Sequence, residues 1–163
     1  MEDFLQQIEK ALDYNLYYIA LQSTLTLPDI CGTLESQNGE ATKSKYFSWY
    51  NTYFKGNVWL SDKDCYFFRC VNVHQAKTVH KNSKYSRILF IEPQTVPITM
   101  HNCIMNDALC IDVNIFCRDM ISSVRSWLNS VKGTEPFESN YKDLIKRYPN
   151  GLIPYIDGVP VIS

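Results

Sequence analysis

Between residues 2 and 27 the apolar positions Phe4, Leu5, Ile8, Leu12, Leu16, Ile19, Ala20 and Leu27 recur at close to helical spacing, the pattern of a helix that buries one stripe against a core. The stretch LPDICGTLE predicts a new helix starting at Pro28. Proline is tolerated in a first turn, and Asp29 suits the positive end of a helix dipole. SQNGEATKS reads as a turn. It leads into EATKSKYFSWYNTYFK, where Tyr46, Phe47, Trp49, Tyr50, Tyr53 and Phe54 form a broad aromatic face. GNVWLSDKD ends that helix, and Ser61 offers an N-cap with Asp62 and Asp64 in the turn that follows. The next helix is therefore expected over about 62–77.

The period then changes. SRILFIE and VPITMHNCI are β-prone runs separated by PQT, which predicts a hairpin or two short strands, and ALCIDV can add a third pairing segment. Asp112 can cap a long amphipathic helix in which Val113, Phe116, Met120, Val124 and Trp127 recur at three and four. A last short helix, ESNYKDLIKRY, stops at PNG, and the apolar tail LIPYIDGVPVIS, interrupted by proline and glycine, is expected to pack as an extended strap. The fold class expected is mainly α: a helical bundle of about five helices with a small inserted β-hairpin. No repeat, low-complexity tract or linker interrupts the pattern, so residues 1–163 are expected to form a single domain.

Charge narrows the partners. The net charge is -1, with 45% hydrophobic and 20% charged residues, so no global field draws the chain to nucleic acid or to a membrane, and any anion site must be local. No run approaches the roughly 18 apolar residues of a membrane span. The opening MEDFLQQIEK carries early acids and lacks an apolar h-region, which argues against a secretory signal. The six cysteines form no C-x-x-C pair and mostly sit among apolar neighbours, where a thiol behaves as a small hydrophobe. Reduced thiols and a cytoplasmic location are expected.

The local anion site has one candidate region. Residues 65–91 contain no Asp or Glu, yet carry Arg69, Lys77, Lys81, Lys84 and Arg87 with His74 and His80. Basic side chains near an imidazole and an amide such as Asn72 suit a phosphate-bearing ligand. The plainer alternative is a solvated loop, KTVHKNSKYSR, that links a helix to a strand. Within DCYFFRCVNVHQ, Arg69 and His74 stand five positions apart. Five residues of ideal helix rotate the chain by about 500°, so their Cα–Cβ directions diverge by about 140°. Convergence then requires a helix end, a distortion or a second subunit.

An R-x4-H pair on a helix of a small helical domain resembles the HEPN superfamily of ribonucleases, which includes prokaryotic toxin and defence proteins. The resemblance rests on RCVNVH and on the helical context. It implies an endoribonuclease that needs no metal or other cofactor, works as a homodimer with the two motifs facing across a cleft, and is held in check by an antitoxin or regulatory protein. By that resemblance His74 acts as general base toward a ribose 2′-hydroxyl or as acid toward the leaving oxygen. Arg69 holds the scissile phosphate, and Asn72, Lys77, Lys81, Lys84 and Arg87 contact RNA. The family commonly has a polar residue directly after the arginine, and here that position is Cys70.

Other constellations are sparser. Cys65, Cys70, His74 and His80 match no paired zinc-knuckle spacing, and no metal site is expected. No glycine-rich phosphate loop occurs, since NGEATKS lacks the pattern. Two rival readings stay open: a non-catalytic module that binds RNA or a nucleotide through the same basic face, and a protein-interaction module. In the latter the aromatic surface around residues 46–54 meets a partner, and Arg69 and His74 are structural.

Overall fold

The computed structural model describes residues 1–93 and 97–163. It is mainly α, with six helices among the described residues and a few short strands. Helix α2 (Tyr17–Leu34) is the central element: α1 (Glu2–Asp13), α3 (Lys43–Tyr53), α4 (Asp62–Gln75), α5 (Val113–Val131) and α6 (Phe137–Lys142) all pack against it. Its apolar residues point in most directions, as expected of a helix enclosed on several sides. Leu21, Leu25, Leu27, Cys31 and Leu34 are all buried. Gly32 lets α3 come close, because a Cβ there would lie 3.1 Å from the Lys45 carbonyl oxygen.

The helix boundary expected at Pro28 is not there. Pro28 lies inside α2, and the break falls at Tyr14–Leu16, where Asn15 takes a left-handed conformation (φ 58°). Asparagine tolerates that region through local hydrogen bonding, and here its Oδ1 accepts from the Tyr17 hydroxyl at 2.6 Å. Packing on many sides holds α2 together across a proline that removes one backbone hydrogen bond.

The aromatic residues of α3 belong to the core. Tyr46, Trp49 and Tyr50 are buried, while Phe47, Tyr53 and Phe54 are partly buried against the same cluster. Trp49 meets Trp127 of α5 edge to face at 6.1 Å, a contact worth about 0.5–1.5 kcal/mol beyond the area it buries. Of the face proposed to meet a partner, Tyr46, Trp49 and Tyr50 are thus spent on the core, and Phe47, Tyr53 and Phe54 keep partial exposure. Helix α5 buries Phe116, Met120, Val124 and Trp127 as its spacing predicts, and Asp112 caps it by accepting from the Ile115 N–H at 2.9 Å.

The expected inserted hairpin is instead a three-stranded mixed sheet of order β1-β3-β2. Strand β1 (Arg87–Ile91) runs parallel to β3 (Ala108–Asp112), and β2 (Cys103–Met105) runs antiparallel to it. The tight turn is Asn106–Asp107, both with positive φ, the backbone of a two-residue hairpin that Asn and Asp accept readily. The hairpin therefore joins β2 to β3, and the all-buried β3, read as an optional third segment, is the central strand. Gln94, Thr95 and Val96, part of the turn and strand expected at PQTVPITM, lie outside the described residues.

The final helix is shorter than ESNYKDLIKRY implies, and the tail does not pack as a strap. It forms two small ribbons, β4 (Arg147–Tyr148) with β7 (Val161–Ile162) and β5 (Gly151–Leu152) with β6 (Ile156–Asp157). Ile153, Tyr155 and Ile162 of this region are exposed. Among the described residues no helix is long and apolar enough to cross a membrane.

Candidate functional site

Helix α4 is fixed at its start and presents its chemistry at its end. Ser61 caps it by accepting from the Asp64 N–H at 3.1 Å, and the buried Asp64 accepts from the Lys84 N–H at 2.8 Å. That bond ties the basic loop back to the helix that precedes it. On the same helix the His80 ring stacks on Phe67, centroids 4.4 Å apart. At the far end Ala76 is left-handed (φ 51°), and the Ala76 and Lys77 N–H groups bond to the Asn72 and Val71 carbonyls, the first of these being the bond of an αL stop.

Arg69 and His74 meet within one chain. Arg69 Nη1 lies 3.2 Å from His74 Nε2. The long arginine side chain spans the angle that separates the two positions, and α4 stays helical through both residues. A guanidinium can only donate, so the contact is a hydrogen bond in the tautomer whose Nε2 accepts. The same guanidinium makes a 2.5 Å ion pair through Nη2 with Asp29 of α2. Both partners are largely buried, with side-chain exposures of 18% and 12%. Burial pushes the Asp29 carboxyl above its usual range, and the charges of Arg69 and His74 oppose that push. Arg69 Nε is buried and has no hydrogen-bond partner among the described residues.

Cys70 Sγ lies 4.0 Å from Arg69 Nη1. Burial, followed by a hydrogen bond to Cys70, raises the Tyr66 hydroxyl. A third cation, Lys43 of α3, sits 4.9 Å from the centre of the Phe67 ring and 5.9 Å from that of Tyr66. The face of α4 that carries Arg69 is thus a mixed surface of aromatic rings, one thiol and fixed positive charge.

The other expected contacts separate into two groups. Lys77, Lys81, Lys84 and Arg87 are exposed on the loop and on the first residue of β1, and Lys84 lies 5.4 Å from the centre of the Tyr85 ring. Asn72 is buried and its Oδ1 has no hydrogen-bond partner among the described residues, so it faces the interior and not the basic surface. Asp29 was missed as a site residue because only the packing of α2 on α4 brings it to Arg69. The one sequence signal was a carboxylate in an otherwise apolar stretch. Asp29 also lines an open cleft of about 500 Å³ between the second half of α2, the turn at 38–41 and the end of α6. Comparison with known protein families, curated proteins and solved structures gives no match.

Proposed function

We propose that this protein is a metal-independent endoribonuclease of the HEPN kind, a toxin or phage-defence effector that acts as a cytoplasmic homodimer. The observation that carries the reading is the Arg69–His74 contact at 3.2 Å. An imidazole next to a fixed guanidinium is the pairing that RNA transesterification uses. When the RNA phosphate draws the Arg69 guanidinium onto its oxygens, His74 Nε2 is released from that contact and takes the proton from a ribose 2′-hydroxyl, and the 2′-oxygen attacks phosphorus. The P–O5′ bond breaks, leaving a 2′,3′-cyclic phosphate and a 5′-hydroxyl. The departing 5′-oxygen takes its proton from the His74 of a second copy or from water. Arg69 stabilises the charge that builds on the phosphoryl oxygens. The exposed Lys77, Lys81, Lys84 and Arg87 hold the RNA backbone, and their contribution weakens as salt rises.

The Arg69–Asp29 ion pair favours a second reading, in which Arg69 is a tie between α2 and α4 and no RNA is cut. His74 separates the two, because its side chain is exposed and its removal costs little stability. The test is incubation of wild type and His74→Ala with total RNA in EDTA. Cleavage by the first and not by the second is expected. No cleavage by wild type across several RNA pools overturns the nuclease reading.

A further inference from the structure

The cleft beside Asp29 has walls of Ile30, Leu34, Ala41 and Leu144 and no Lys, Arg or His among its lining residues. It is therefore unsuited to a phosphate. Its donors are already used: Asn140 Nδ2 donates to the Thr33, Leu34 and Ser36 carbonyls at 3.3, 3.0 and 2.8 Å. The Thr33 hydroxyl donates to the Asp29 carbonyl at 2.7 Å, and Asn38 Nδ2 to Glu40 at 3.1 Å. What remains is acceptors: Asn140 Oδ1 and the carboxylates of Asp29 and Asp143. Asp29 is committed to Arg69, which leaves Asp143, exposed at the rim just after α6, as the carboxylate without a partner among the described residues. Gly39 keeps the space open, since a Cβ there would lie 3.0 Å from Asn140 Oδ1 and its φ is +61°.

An apolar slot with spare acceptors takes a flat group that carries adjacent donors. Among the RNA bases only guanine presents two neighbouring donors, N1–H and the N2 amino group, which match the two oxygens of a carboxylate. Adenine and cytosine place a ring-nitrogen acceptor beside their amino group, and the N3–H of uracil is flanked by carbonyls. Either arrangement sets lone pairs against the carboxylate. We infer that this cleft is a guanine subsite in which Asp143 accepts from N1–H and N2–H while the adjoining phosphate lies at Arg69 and His74. The inference rests on the nuclease reading for the placement of the phosphate, and on the cleft alone for the choice of base.

The experiment is calorimetric titration of the full chain with guanosine, adenosine, cytidine and uridine 3′-monophosphates, alongside mapping of the cut sites in RNA. Wild type is expected to bind the guanine nucleotide at least tenfold more tightly than the others. Asp143→Asn, which offers one acceptor in place of two, should bring it to their level. Asp157→Asn removes the same charge from the tail ribbon and should leave the preference in place. Equal affinities, no measurable binding, or a guanine preference that survives Asp143→Asn overturns the subsite. RNA cut without regard to base overturns the subsite and leaves the nuclease standing. A guanine preference without any RNA cleavage supports the subsite and removes the nuclease reading.

Discussion

Two arginines in this fold make opposite use of carboxylates. Arg125 of α5 is held by two carboxylates: its Nη1 and Nη2 bond to Glu9 at 2.7 and 2.8 Å, and its Nη2 and Nε bond to Glu2 at 2.6 and 3.2 Å. Two negative charges surround one positive charge, and the group, 37% exposed, clamps the start of α1 to α5. Arg69 is more buried, holds one carboxylate, turns a second nitrogen to an imidazole and leaves Nε without a partner among the described residues. The first arrangement commits four of its five N–H groups to carboxylates. The second keeps hydrogen-bonding capacity and sits beside an open cleft. An arginine's role is thus read from what it lacks as much as from what it holds.

The largest expected effect is on catalysis. His74→Ala should lower RNA cleavage by roughly 10²–10⁴-fold, the usual loss of a general base, whereas Arg125→Ala should leave the cleavage rate within about twofold of wild type. A single-turnover assay on one RNA reads both, and equal losses in the two variants would erase the contrast. Next in size is stability. Removing Arg69 strands the carboxylate of Asp29 in a largely buried position, so Arg69→Ala should cost about 2–3 kcal/mol in urea unfolding. Arg125→Ala breaks a surface network and should cost about 1 kcal/mol or less.

The pH dependences should have opposite signs. Hydrogen bonds from Arg125 hold the Glu2 and Glu9 carboxyls below their usual range. Their stabilisation is present above the unfolded value of 4.5 and is lost as pH falls through the lowered folded values. Burial raises Asp29 instead, so its contribution is greatest below the unfolded value of 3.8 and declines as pH rises through the folded one. Melting temperatures of wild type, Glu2→Gln and Asp29→Asn between pH 3 and 6 check this. The gap between wild type and Glu2→Gln should widen with rising pH, and the gap to Asp29→Asn should move the other way. The smallest effect concerns the end of α4. Ala76 carries a Cβ in the left-handed region, and Ala76→Gly should raise stability by about 0.5–1 kcal/mol in the same urea assay, sharpening the stop that follows His74.

Much of the helical frame was legible in local chemistry. Ser61 and Asp112 both cap the helices they were expected to start, because a cap is a contact between residues three apart and needs no tertiary information. Where the outcome depended on packing, local rules misled. Pro28 resembles a helix start, yet it lies within α2 because several neighbouring helices enclose that segment. Strand β3 looked optional because its partners lie on both sides of it, one more than 20 positions earlier, in a parallel pairing that no turn announces. At the site, the R-x4-H spacing pointed to Arg69 and His74 but indicated divergence. The rotation of Cα positions takes no account of the reach of an arginine side chain. Asp29 could not be read from the sequence, since its pairing with Arg69 joins two helices 40 positions apart.

The central claim is that Arg69 and His74 cut RNA through its own 2′-hydroxyl, and a single oligonucleotide pair tests it most directly. The cut site is first mapped on an all-RNA strand in EDTA, and the same strand is then made with one 2′-deoxynucleotide on the 5′ side of that bond. Wild type should leave a 2′,3′-cyclic phosphate and a 5′-hydroxyl on the first strand and leave that bond of the second intact. Cleavage of the deoxy-substituted bond, or ends bearing a 5′-phosphate, would contradict it.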